Sequence, residues 1–204
     1  MLLALVCLMS GCTASVHPLL TSKELLEDSD LSGSWELVSS RPGSEKDRVL
    51  LRFEKHDPST YDVHLLSREA DSEALECKRR AGWPDAWTLQ VGRIDERLFA
   101  QMRPRDLPIG PPLIHGIPVY VFGCIELEPD TIRYFALNDP NCASLAEKAN
   151  LQHIRYEPSD FVELTVFTMP TKELQKAVIS HATEAFNAEP FILRRSESDA
   201  INHP

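Results

Sequence analysis

The sequence predicts a mainly β fold with a minor α component: an antiparallel up-and-down meander of roughly eight to ten short strands, closed into a barrel, with a single late C-terminal helix. From residue 31 onward, apolar and polar residues alternate over short stretches. Turn-forming sequences such as His56-Asp57-Pro58-Ser59 separate those stretches. Helical spacing of apolar residues is clear only late in the chain, beyond residue 171. Closing such a meander removes its exposed edges.

Residues 12–30 read as a tether and a short helix, with Thr21 and Glu24 spaced as a capping box and Leu25 and Leu26 as the apolar edge. The first strand begins at Leu31 and runs through Trp35 to Val38. Val49, Leu51 and Phe53 alternate with polar neighbours, as do Tyr61, Val63 and Leu65, and the intervening turn makes the pair a hairpin. Ala74–Cys77 reads as a short strand. Trp87, Leu89 and Val91 pair with Leu98, Ala100 and Met102 across Ile94-Asp95-Glu96-Arg97 as a second hairpin. Residues 104–118 hold Pro104, Pro108, Pro111, Pro112 and Pro118, so they form an extended loop outside any central ladder. Val119–Leu127, apolar on both faces, turns at Glu128-Pro129-Asp130 into a strand over 131–137. A short helix over 141–148 and strands over 151–156 and 161–168 follow. The late helix carries Leu174, Ala177, Val178, His181, Ala182, Ala185 and Phe186 as one stripe, with Pro170 in its first turn. Phe191–Leu193 supplies the last strand, ending at Arg194-Arg195.

The chain of 204 residues is 43% hydrophobic and 25% charged, an ordinary globular balance with room for a single good core. With no internal repeat and no internal boundary, residues 31–195 read as a single domain and 196–204 as a frayed tail. The net charge of −10 argues against a nucleic-acid partner and against adsorption on anionic lipid. Lys78-Arg79-Arg80, beside Glu76, reads as a solvated turn.

Chemical motifs are sparse. His17, His56, His64, His115, His153, His181 and His203 include no metal-binding spacing, so no metal ligand is assigned. His64 and His153 read as exposed polar positions on one side of neighbouring strands, and His181 as a satisfied core histidine. Only His115, in the proline-rich loop, stands out as a residue to probe. There is no Gly-x-Ser-x-Gly elbow, no Ser-x-x-Lys and no phosphate-binding or dinucleotide fingerprint, so neither a catalytic residue nor a cofactor is assigned. Asp95-Glu96 and Glu126/Glu128 are explained by turns and strand ends. A non-enzymatic binding or interaction domain, taking a small apolar ligand or an envelope protein, is the expected function. The alternative is a periplasm-facing hydrolase whose Ser, Cys or His residues converge near the 104–118 loop.

Leu2-Leu3-Ala4-Leu5-Val6-Cys7-Leu8-Met9 followed by Ser10-Gly11-Cys12 resembles the export signal and lipobox of bacterial lipoproteins. The apolar run is too short to span a bilayer core, which takes about 20 residues. Two features depart from the pattern: no Lys or Arg precedes the run, and Met9 stands where the family has Leu. The resemblance implies that residues 1–11 are a signal peptide and that Cys12 is acylated and anchors the chain in the cell envelope. In that family the residue after the cysteine influences membrane sorting; Thr13, rather than Asp, implies the outer membrane facing the periplasm in a Gram-negative host. Cys77, Cys124 and Cys142 remain, which leaves at least one thiol unpaired in an oxidising compartment and does not choose a pair.

Gly33-Ser34-Trp35 on the first strand resembles the Gly-x-Trp signature of lipocalins. That resemblance implies a Trp closing the barrel floor against an Arg near the last strand, here Arg194 or Arg195. Glu163-Leu164-Thr165 and Lys172-Glu173-Leu174 with a late strand also resemble uncharacterised bacterial secreted proteins, which brings no activity. Cys12→Ser is expected to abolish incorporation of palmitate-derived label and to release the chain from membranes. Label retained by that variant would overturn the assignment.

Overall fold

A computed structural model describes residues 13–27, 29–38, 49–67, 87–105, 119–137, 139–159, 162–186 and 189–196. Strands β1 (Thr13–Ser15), β2 (Gly33–Val38), β3 (Val49–Asp57), β4 (Thr60–Ser67), β5 (Trp87–Ile94), β6 (Arg97–Pro104), β7 (Val121–Glu128) and β8 (Thr131–Ala136) are followed by helix α1 (Asp139–Lys148). Strands β9 (His153–Ser159) and β10 (Val162–Phe167), helices α2 (Thr171–Ser180) and α3 (Ala182–Ala185), and strand β11 (Phe191–Arg195) complete the order. Strands β2 to β8 pair in sequence, each antiparallel to the next, and β11 inserts between β8 and β2 to close an eight-stranded barrel.

Alternation decides which side chains enter the barrel. Trp35 and Leu37 of β2, Phe53 of β3, Tyr61 and Val63 of β4, and Leu89 and Val91 of β5 are buried in one inner cluster. Ala100, Ile125, Ile132, Tyr134 and Leu193 carry that cluster around the remaining strands. Strands β6 to β8 bury their outer face as well. Phe99, Phe122 and Leu137 pack there against Leu145 of α1, Leu174 and Val178 of α2, and Ala185 of α3. This second layer accounts for the apolar residues on both faces of the 119–127 stretch.

Several expectations are corrected. The strands expected over 151–156 and 161–168 do not continue the barrel. They form β9 and β10 in a separate three-stranded sheet, where β1 adds in parallel to β10. The tether expected before residue 31 is therefore ordered from Thr13, because β1 finds a ladder partner in β10 and Ser15 bridges to Tyr120. The short helix at 21–26 is a single turn. Its capping contacts do form, with the Thr21 amide and hydroxyl both donating to Glu24 Oε2. Leu25 and Leu26 are instead drawn to the barrel wall, with the Leu26 amide donating to Val91 O at 3.0 Å and the Arg93 amide to Glu24 O at 2.8 Å. The late helix is interrupted at His181, whose φ of −120° and ψ of 15° end α2. The stripe stays buried across the break, and the extended Phe186 reaches a bridge with Leu137 and an aromatic contact with Phe99. His181 itself is only half-buried. His64 on β4 and His153 on β9 lie in different sheets, so they are not neighbours. The expected strand at 74–77 and the frayed tail, beyond Ser196, lie outside the described residues.

The N-terminal segment thus works as a strap over β5 and β6. Gln101, 2% exposed, is a fully employed amide under it. Its Oε1 accepts from the Leu20 amide at 2.8 Å, and its Nε2 donates to Leu20 O and Gln90 Oε1 at 3.1 and 2.8 Å. Such satisfaction is what allows a polar side chain into an apolar layer. Gly92 sets the distance of closest approach: a Cβ there would lie 2.6 Å from Glu24 O and 2.9 Å from Leu20 Cδ2. Gly92→Ala is expected to lift the strap and cost about 1–3 kcal/mol. The change should appear as a lower urea midpoint with an unchanged m value.

Candidate functional site

The candidate site is the interior of the closed barrel, where one end is plated by an aromatic ring and a cation. Residues Gly33 and Arg195 and the turns at 57–60, 94–97 and 128–131 share one end, by the direction of the strands. Here Trp35 is 1% exposed, with its ring tilted against Phe53 at a centroid distance of 6.3 Å. Its Nε1 donates to Leu31 O at 2.8 Å. Arg195 lies opposite Trp35 in the β11–β2 register, and its guanidinium carbon stands 4.5 Å from the ring centroid. The same guanidinium donates from Nη1 to Ser32 O at 2.7 Å and lies within 3.6 Å of Asp130 through Nε. It thereby ties β11, the entry to β2 and the β7–β8 turn to one aromatic plate. Of the two arginines implied by the Gly-x-Trp resemblance, Arg195 takes the role and Arg194 is exposed.

Gly33 has its own requirement in this plate. Its φ of 117° is a conformation that residues with a Cβ rarely adopt, and it turns the chain from Leu31 and Ser32 into β2. The Tyr61 hydroxyl accepts from the Leu31 amide at 3.4 Å and is thereby engaged in the floor.

Half-buried apolar residues occur at both ends, with Leu98 and Leu127 beside the plate and others around the opposite rim. Leu65, Trp87, Met102 and Phe191 are half-buried around this rim and pack onto the inner cluster. Between rim and floor, the described inward side chains of the inner cluster are apolar except for the hydroxyls of Tyr61 and Tyr134. Burial alone pushes the Tyr134 phenol well above its ordinary value, so it remains a protonated donor. Tyr134 fell inside a strand recognised from alternation, but nothing in the local pattern singled it out.

The other sequence candidates lie elsewhere. Cys12, Cys77 and His115 fall outside the described residues, as does most of the 104–118 loop where hydrolytic residues were expected. Cys124, on the outer face of β7, is a free thiol. Burial pushes it up, against a smaller opposing pull from Arg97. Cys142 is buried in the layer between barrel and helices. His64 stands 3.7 Å from Glu54 on the outer wall, where Asp62 pairs with Arg105 and lies 3.5 Å from His56. Glu126 and Glu128 both face Arg133 across the β7–β8 hairpin. Among the described residues, no group of three or more His, Cys, Asp and Glu is placed to hold a metal ion.

No protein-family model, no curated protein and no solved structure matches this chain. The site is therefore read from its own geometry. Arg195→Ala removes the cation over Trp35 and two backbone hydrogen bonds at once. A loss of about 1–3 kcal/mol is expected, measured by denaturant unfolding. Arg195→Lys should recover only part of it, because an ammonium cannot both stack on the ring and reach two carbonyls.

Proposed function

We propose that this chain is a non-enzymatic carrier of small apolar molecules, held in the cell envelope through an acylated Cys12. The observation that carries the reading is a closed barrel with an apolar inner cluster that is plated at one end. Its floor is plated by Trp35 under Arg195, and its far rim presents half-buried Leu65, Trp87, Met102 and Phe191. Apolar lining with few polar groups is the usual composition of a small-molecule site. A ligand that buries about ten methylenes there gains roughly 8 kcal/mol before the costs of association. Dissociation constants in the micromolar range are the expected result.

The anchor fits the same picture. With a net charge of −10, the chain has little electrostatic attraction to anionic lipid, so attachment through acyl chains is the physical route to a membrane. Cys12 directly precedes β1, whose first residue is Thr13. An acylated Cys12 would thus join the folded body to the bilayer without a long spacer.

The test uses the full chain carrying Cys12→Ser, titrated with N-phenyl-1-naphthylamine while Trp87 emission is followed. Saturable uptake of a single probe molecule per chain, with micromolar affinity and quenching lost in Trp87→Phe, is expected. An absence of saturable uptake would mean that side chains fill the interior, and the carrier function would be abandoned.

A further inference from the structure

The anchor residue adjoins a fixed part of the fold. Thr13, Ala14 and Ser15 are paired with Thr165, Val166 and Phe167 of β10, and Ser15 exchanges two hydrogen bonds of 2.8 Å with Tyr120. Cys12 is one peptide bond from that ladder, so an anchor on it is an anchor on the β1–β10–β9 sheet. The register continues across the sheet: Ala14 faces Val166, and Val166 faces Ile154 of β9. Residues opposite one another in a ladder share a face, so these three form one apolar row. Val119 packs with Ala14 and Val166, which are 6% and 0% exposed. At β9 the row is open. Ile154 is 47% exposed, and among the described residues no other large apolar side chain is exposed. Arg155 beside it is exposed too.

A single exposed isoleucine is ordinary on a protein surface, and here its position gives it meaning. Two strand spacings, about 10 Å, separate Ala14 from Ile154. Cys12 lies two residues before Ala14, which adds at most about 7 Å. Acyl chains on Cys12 hold that residue at the bilayer surface, where the polar layer on each side of the hydrocarbon is about 5–7 Å deep. Ile154 is thus within reach of the same layer. Strand β3, by contrast, stands four places from β7 in either direction around the closed barrel. We propose that the β9 edge of this sheet is the lipid-facing surface of the anchored protein, with Ile154 seated in the bilayer interface. This rests on the acylation of Cys12 proposed above. An apolar contact suits a chain of net charge −10, and Arg155 sets a cation level with the headgroups. Acyl chains alone leave a protein free to swing about its tether. A second contact within about 17 Å of it fixes which side of the barrel meets the membrane.

The test uses the acylated full chain reconstituted in vesicles of brominated phosphatidylcholine, whose bromine atoms quench indole at close range. Ile154→Trp adds an emitter on β9, and Arg52→Trp adds one at an exposed position of β3. The emission added by Ile154→Trp is expected to fall about twofold relative to vesicles without bromine, and that added by Arg52→Trp to stay unchanged. Palmitate-derived label on the chain with neither emission quenched overturns the role of Ile154 and leaves the anchor standing. Equal quenching of both overturns the fixed orientation. A dimer of the Cys12→Ser chain in sedimentation velocity that is lost on adding Ile154→Glu assigns β9 to a second copy and overturns the bilayer contact. Absence of label removes the anchor and this inference together.

Discussion

The insertion of β11 between β8 and β2 is the contact on which the remaining architecture depends. Strands β2 to β8 form a meander by local pairing, but a meander leaves two edges with unpaired backbone groups. Five residues from the end of the described chain satisfy both edges at once: Ile192 faces Val38 on one side and Arg133 on the other. The same short strand delivers Arg195 to Trp35, so closure and floor are built by a single element. Inside and outside become distinct only when it docks.

Closure also explains why so much of the chain lies outside the barrel. Strands β6 to β8 are apolar on both faces, and the outer face needs its own cover. Helices α1, α2 and α3 and the segment around Leu19 and Leu20 supply that cover. The sheet of β1, β10 and β9 is joined to the barrel through the Ser15–Tyr120 bridge. The long excursion between β8 and β11 is therefore structural, because it carries the apolar surface that keeps the β6–β8 wall dry. Large side chains such as Phe99 and Phe122 were placed outward, leaving Ala100 and Gly123 to face inward. An interior wall of small residues is the consequence, and Tyr134 is the polar group laid across it.

Polar atoms are handled differently in the two layers. Under the N-terminal strap, Gln101 meets every demand of its amide through Leu20 and Gln90, which fixes the strap at one register. At the floor, Arg195 satisfies Ser32 and Asp30 carbonyls while stacking on an indole. Those groups hold the fold.

Much of the architecture was legible from residues alone. Period-two alternation located the strands of both hairpins, and Gly33-Ser34-Trp35 marked the floor. Those features are local, since a strand's exposed and buried faces are written every second residue. The apolar run before Cys12 likewise marks the anchor expectation without reference to any fold. Long-range partnership was beyond local pattern. That β9 and β10 leave the barrel, that Thr13 opens a strand rather than a tether, and that the late helix breaks at His181 all depend on surfaces that exist only once distant elements meet. The closed interior belongs to the same class, because it is a property of eight strands together and of none of them singly.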